Sequence, residues 1–390
     1  MKEKILIMGL IAALLLPAVA SAIEIPEFEP TMPDMDKMSE QRMQYMERAQ
    51  EAHMFGMLNY EGDGQYSGYF VSFAFDAKEG TIYDYTMKGT VNRTVFSSVS
   101  IEKEDASAVP VVHGAVFLFN AADWNLVIHN NAPALMSIEK AGGASVEVTY
   151  ILAEGITAEE GANGSYILNY GEQTALLLYG DNEAELENNT ITIELATGSI
   201  VFRGYSLGAE SAPGAVFRNL VQERRALGEI SVTGTGAERA EDAATYCEGA
   251  RIEVREMEQK RMELRVSDTD PEGKIVKICV DKESLGIDSP ERVQALFDGE
   301  NAVKKQDMNS LVQAMENGEQ KAAYVAYEDG EQMNIYVYIP HFSEHTLTIE
   351  ESTATSETGS IGNIPITTMA LAGLALVAVI AGVVFLKRRN

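Results

Sequence analysis

Gly204-Tyr205-Ser206-Leu207-Gly208 has the G-x-S-x-G form of a nucleophile elbow, in which a serine hydroxyl stands exposed between a strand and a helix. It follows the strand-like run GSIVFRGY and precedes the helix-like run PGAVFRNLVQERRAL. His341 or His345, with a downstream acid, would complete a serine, acid, histidine order. The surroundings argue against hydrolysis. The helix signal starts only at Pro213, whereas an elbow needs its serine at the helix start. The stretch before it lacks alternating strands and helices, and no glycine-rich oxyanion segment follows an early strand. No catalytic residue is therefore expected, and Ser206 is the serine to test if that expectation fails.

Asp268, Asp270 and Glu272, followed by Gly273, place carboxylates at positions 1, 3 and 5 and glycine at position 6 of a calcium loop. Position 12, where a bidentate Glu belongs, is Cys279, so an EF-hand fails and a solvated hairpin turn explains the same residues. His341 and His345 flank Phe342-Ser343-Glu344 after Pro340. Two imidazoles lack a third protein ligand here, and a tight corner held by side-chain hydrogen bonds is the plainer reading. No resident metal or other cofactor is expected; calcium is the one the pattern allows. The two cysteines, Cys247 and Cys279, are read as one disulfide, because an even pair in an extracellular chain usually bonds. Met35, Met38, Met43, Met46, His53, Met54 and Met57 lie along one helical face. Thioethers with an imidazole could hold a soft metal, but an adaptable packing surface is the expected role.

The elements that would position these groups are mostly strands. Residues 23–58 read as a proline-rich lead-in and a Met-rich amphipathic helix beginning at Asp34. Residues 59–207 hold ten short runs rich in β-branched and aromatic residues, among them GYFVSFAF, GAVFLFN and NTITIELA, punctuated by Gly, Asn and Asp. They predict an all-β domain, as a sandwich, barrel or β-solenoid, and exclude a doubly wound α/β sheet. Residues 208–351 predict a smaller α+β domain: a helix from Pro213 to Leu227, several strands, a turn-rich or short helical interlude, and a hairpin at Asp329-Gly330.

The ends set the expected location. Residues 1–22 have the form of a signal peptide, with Lys2 and Lys4, an apolar core and Ala20-Ser21-Ala22. Residues 352–363 form a Ser/Thr/Gly tether. Residues 364–386 contain the uncharged run Ile366–Leu386 and read as a transmembrane helix, followed by a cationic cytoplasmic tail at 387–390. The formal charge of −29 speaks against nucleic acid and anionic lipid as partners. Sequons at Asn92, Asn163 and Asn188 would meet a glycosylation machinery outside the cell.

Lys274 to Glu350 resembles a C-terminal module of archaeal, especially methanogen, membrane-anchored surface proteins. The likeness is carried by VKICVDKESLG, ALFDGE and YVYIPHFSEHTLTIE directly before a tether and span. GYFVSFAFDAKEGTIYDYTMKGTVNRTVF is similar to material in such proteins. The resemblance implies envelope exposure and a β-rich ectodomain, and carries no activity to any residue. The expected function is that of a type I anchored surface protein with a structural, adhesive or protein-interaction role, partnered by the membrane and by envelope proteins or its own copies. The alternatives are an anchored serine hydrolase using Ser206 and a metal- or calcium-binding surface protein.

Overall fold

The computed structural model describes residues 40–352, apart from 90, 103–107, 172 and 205–211. The signal-like segment, Met35, Met38, Ser206, the tether beyond Ser352 and the apolar run lie outside the described residues. The chain is mainly β and builds four sheets. Two eight-stranded antiparallel sheets come first. One runs from the edge strand Asn59–Gly62 to the edge strand Glu183–Glu187, the other from Thr157–Glu160 to Val111–His113. Among the described residues both stay open at their edges and share one core, the arrangement of a sandwich.

Strict alternation explains the packing. Val71–Asp76 buries every second residue, and Val71, Phe73 and Phe75 enter the core shared by the two sheets. Phe117, from the opposite sheet, meets Tyr66, Phe73 and Phe75 edge-on at 4.8, 5.3 and 5.2 Å. Such pairs add about 0.5–1.5 kcal/mol each beyond burial. Gly164, at φ +69, sits where a Cβ would lie 1.8 Å from the Gly180 carbonyl oxygen, so only glycine fits that crossing.

The remainder is a second, smaller pair of sheets. The third sheet is mixed, in the order Ala240–Thr245, Ala226–Thr233, Lys274–Asp281, Gln332–Ile339, Ala323–Asp329 and Val303–Lys304. The fourth runs Arg251–Glu258, Arg261–Ser267, Glu344–Glu351, Val293–Phe297 and Glu300–Asn301. They share a core that includes Ile230, Leu264, Val276 and Leu347.

Four α-helices serve these sheets among the described residues: α1 (Glu40–Glu51), α2 (Ala212–Gln222), α3 (Lys282–Leu285) and α4 (Met308–Glu316). α2 and α4 fill the space between the two halves. Phe217, Leu220, Val221, Leu311 and Met315 pack with Leu176 and Val201 on one side and Ile275 and Tyr336 on the other. Asp307 caps α4 by accepting from the Ser310 N–H at 2.8 Å. Asp307→Ala should lower stability by about 1 kcal/mol with the fold intact, measurable as a shift in the urea midpoint.

Several sequence expectations are corrected. α1 ends at Glu51 rather than reaching Leu58, because His53 takes a left-handed conformation at φ 54 and turns the chain. α2 stops at Gln222, since Arg224 is left-handed at φ 60 and Ala226 already belongs to a strand. The segment 268–273 is not a hairpin turn. Arg261–Ser267 and Lys274–Asp281 lie in different sheets, so the acidic segment is a corner between them. The interlude after Ser289 is chiefly a hairpin, Val293–Phe297 to Glu300–Asn301, followed by α4.

Candidate functional site

The hairpin just described turns at Asp298-Gly299, with φ 50 and 80, the positive values a two-residue turn requires. It lies beside the start of Glu344–Glu351, which pairs with Val293–Phe297. Asp298 is held there at both ends. Its N–H donates to the Thr346 carbonyl at 2.9 Å, and its Oδ1 accepts from the Thr346 N–H at 2.9 Å. Its Oδ2 lies 2.7 Å from Nδ1 of His345, whose Nε2 lies 3.0 Å from Oγ of Ser343. His345 is buried at 8% exposure, under the Phe297 ring at 4.6 Å and beside the His341 ring at 5.1 Å. Ser343 is exposed.

The electrostatics set the tautomer. Partial burial pushes the Asp298 carboxyl up, but the Thr346 N–H, the His345 hydrogen bond and the nearby imidazoles more than offset it, so the net displacement is downward. An ionised carboxylate only accepts, so Nδ1 of a neutral His345 carries the proton and Nε2 is left to accept from Ser343. Serine, histidine and aspartate thus form one hydrogen-bonded chain ending at an exposed hydroxyl.

The other candidates separate. Lys274 occupies the acidic corner: its Nζ donates to Asp268 Oδ2 at 2.7 Å and Asp270 Oδ2 at 2.6 Å, with Asp268 buried. The chain supplies its own cation where calcium was allowed, and Glu272 is exposed. His341 and His345 neighbour each other, but both nitrogens of His345 are taken by Asp298 and Ser343. Among the described residues no group of three or more His, Cys, Asp or Glu is set to hold a metal. Glu102, Glu147, Glu183, Glu185 and Glu194 line one groove.

The disulfide expectation is also corrected: both cysteines are free. Cys247 bonds the Ala226 carbonyl at 3.6 Å, and Ala226 pairs with Ile275. Cys279 lies four residues further along that strand, roughly 13 Å at 3.3 Å per residue, beyond the span a disulfide bridges. Burial pushes the Cys247 thiol up to about 11 and the Cys279 thiol up to about 12, which leaves both unreactive. A thiol count on the denatured, unreduced protein should therefore give two, and a reductant should leave the melting temperature unchanged. A midpoint that falls on reduction would overturn this.

Of the methionine face, Met46 and Met54 are buried with Ala49, Phe55 and Cys279 in the seam where α1 meets both halves, while Met43 and His53 are exposed. Packing is thus seen for Met46 and Met54, and His53 points to Tyr69, at 3.4 Å. Asn92, Asn163 and Asn188 are exposed, the last two at left-handed turn positions.

The junction between the halves is the feature that sequence reading missed altogether. Glu229 accepts from Arg203 Nε at 3.0 Å, from Lys277 Nζ at 3.1 Å and from the Tyr246 hydroxyl. Asp242 meets His129 Nδ1 and Asn131 Nδ2, each at 2.7 Å. Arg203, His129 and Asn131 come from the first sandwich and their acids from the second sheet pair, so both clusters bridge the halves. Arg48 of α1 adds an ion pair with Asp281 and a 3.0 Å hydrogen bond to Ser284.

Residues 230–370 match the MAST domain family. The match begins inside the third sheet, contains Asp298, Ser343 and His345, and covers little more than a third of the chain. No curated protein matches. Among solved structures, a family 81 glycoside hydrolase from Clostridium thermocellum aligns at 10% identity and a TM-score of 0.31, over 76% of this chain and 35% of that one. A family 31 α-xylosidase from Xanthomonas citri aligns at 9% identity and 0.12, over 77% and 37%. The chain spans about a third of the length of both, and likeness at these scores identifies neither fold nor activity.

Proposed function

We propose that the protein is a surface protein of an archaeal envelope, anchored by residues 364–386 with its β-rich body outside, and that its role is structural or interactive. The observation that carries this reading is the union of the two halves. Buried ion pairs at Glu229 and Asp242, the α2–α4 layer and the α1 strap join four sheets into one body, as suits a rigid element presented at a surface. The order of the chain supports it as well. The last strand, Glu344–Glu351, leads directly into the Ser/Thr/Gly tether and the apolar run. The acidic exterior suits a salty medium, and the exposed Asn92, Asn163 and Asn188 suit glycan attachment.

The test is twofold. The full chain should sediment with membranes and require detergent for release, and the purified protein should self-associate or bind isolated envelopes. A protein released by salt alone, or one that binds neither itself nor any envelope component, would sink the reading.

A further inference from the structure

The Asp298–His345–Ser343 chain has a polarity that a mere corner does not need. A corner requires only that hydrogen bonds tie residues 341–346 to the neighbouring turn, and the two bonds between Asp298 and the Thr346 backbone, one of them to the Asp298 carboxylate, already do so. The further bonds run in sequence from a carboxylate held below its usual range, through an imidazole shielded by Phe297, to a hydroxyl at the surface. Each link is at hydrogen-bonding distance, which is the geometry a general base needs.

We propose that Ser343 is an activated nucleophile, with His345 as its general base and Asp298 as the positioning residue, and that it accepts acyl groups from accessible carboxylic esters. This goes beyond the surface-protein reading and does not depend on it. As the Ser343 Oγ forms a bond to the ester carbonyl carbon, its proton passes to Nε2 of His345. The tetrahedral adduct collapses by breaking the bond to the alkoxy oxygen, which takes that proton and leaves as an alcohol. Water then attacks acyl-Ser343 with the same base, releasing a carboxylic acid and restoring the serine. Asp298 keeps the proton on Nδ1 and stabilises the imidazolium formed in each step. Because Ser343 is exposed in the loop that leads into Glu344–Glu351, the substrate it suits is an ester on an extended or macromolecular chain rather than a small molecule enclosed in a cleft.

The test uses the full chain in detergent, with a fluorophosphonate probe located by peptide mass spectrometry and p-nitrophenyl acetate as the ester. Ser343 should be labelled, and Ser343→Ala should abolish both labelling and esterolysis without moving the melting temperature. His345→Asn should slow labelling by about 10²–10⁴-fold. Asp298→Asn should slow it as well, and Asp298→Glu should restore part of the rate. If His345→Asn does not fold, Ser343→Cys carries the test. Iodoacetamide should then alkylate the introduced thiol well below pH ~8.5, where an unassisted thiol is protonated. An unlabelled Ser343, a rate indifferent to His345→Asn, or labelling confined to Ser206 would overturn the proposal. None of these outcomes bears on membrane sedimentation or self-association, so the two readings fail separately.

Discussion

Glu229→Ala should cost about 3–5 kcal/mol, enough to unfold a protein of ordinary stability. Glu229 is 7% exposed and sits among Arg203, Lys277 and the Tyr246 hydroxyl, so its removal takes away the carboxylate that both cations share at a largely buried site. Phe217, with its ring 6.0 Å from both the Arg203 guanidinium and the Lys277 ammonium, cannot replace an anion. Burial alone would push the Glu229 carboxyl up. Arg203 and Lys277, with the hydrogen bonds from Arg203 and Tyr246, overcome that and displace it well downward. For an acid lowered in this way, the stabilisation is complete above the unfolded value of 4.5 and is lost as pH falls through the folded one. Urea midpoints should therefore separate the wild type from Glu229→Gln by several kcal/mol at pH 7 and converge in strong acid. Equal midpoints at pH 7 would show that the cluster contributes nothing.

Asp242→Ala should be comparably damaging, with the opposite pH signature. Asp242 is 4% exposed and bonds His129, which is itself buried. Burial favours the neutral imidazole, yet the Asp242 charge and hydrogen bond, with Glu229 and Glu139 further off, displace His129 upward. A raised base contributes stability in full below its unfolded value of 6.5, and that contribution is lost as pH rises through the folded value. The deficit of Asp242→Ala should thus be about 3–5 kcal/mol near pH 6 and shrink in alkali. Asn131 loses its 2.7 Å acceptor in the same variant, a cost that does not titrate, so a remainder of about 1 kcal/mol should persist. A deficit independent of pH would assign the whole effect to Asn131.

How much of this could be read from the chain follows from which signals are local. Val71–Asp76 and Arg261–Ser267 alternate so regularly that their strands and buried faces are legible residue by residue. Whether such strands make a sandwich or a barrel depends on edges, and edges are set by pairings between distant segments. The acids illustrate the difficulty further. Glu229 and Lys277 look like any other charges in an acidic protein, yet Glu229 is the one charge in GEISVTG, and Lys277 sits between Val276 and Ile278 in KIVKICVD. A solitary charge inside an apolar strand is a signal that it is buried and paired, and it was available. So was Asp298-Gly299. The same dipeptide chemistry that marks the Asp329-Gly330 hairpin marks this one, and recognising it would have placed an acid beside His345. Cysteine parity misled because it counts residues and ignores topology: Cys247 follows the strand Ala240–Thr245, Cys279 lies in Lys274–Asp281, and Ala226–Thr233 runs between those two strands.

The placement of Glu344–Glu351 has a mechanical consequence. The strand lies inside its sheet, antiparallel to Arg261–Ser267 on one side and Val293–Phe297 on the other. Tension applied at residue 351 would act along the strand, whereas the hydrogen bonds that hold it run across it. They are therefore loaded together, in shear, and must yield together rather than open one after another like a zip. Lys260 and Arg292 clamp Glu351 at the point where the chain departs. A body tugged from its C-terminal end is thus gripped at a strand held on both sides.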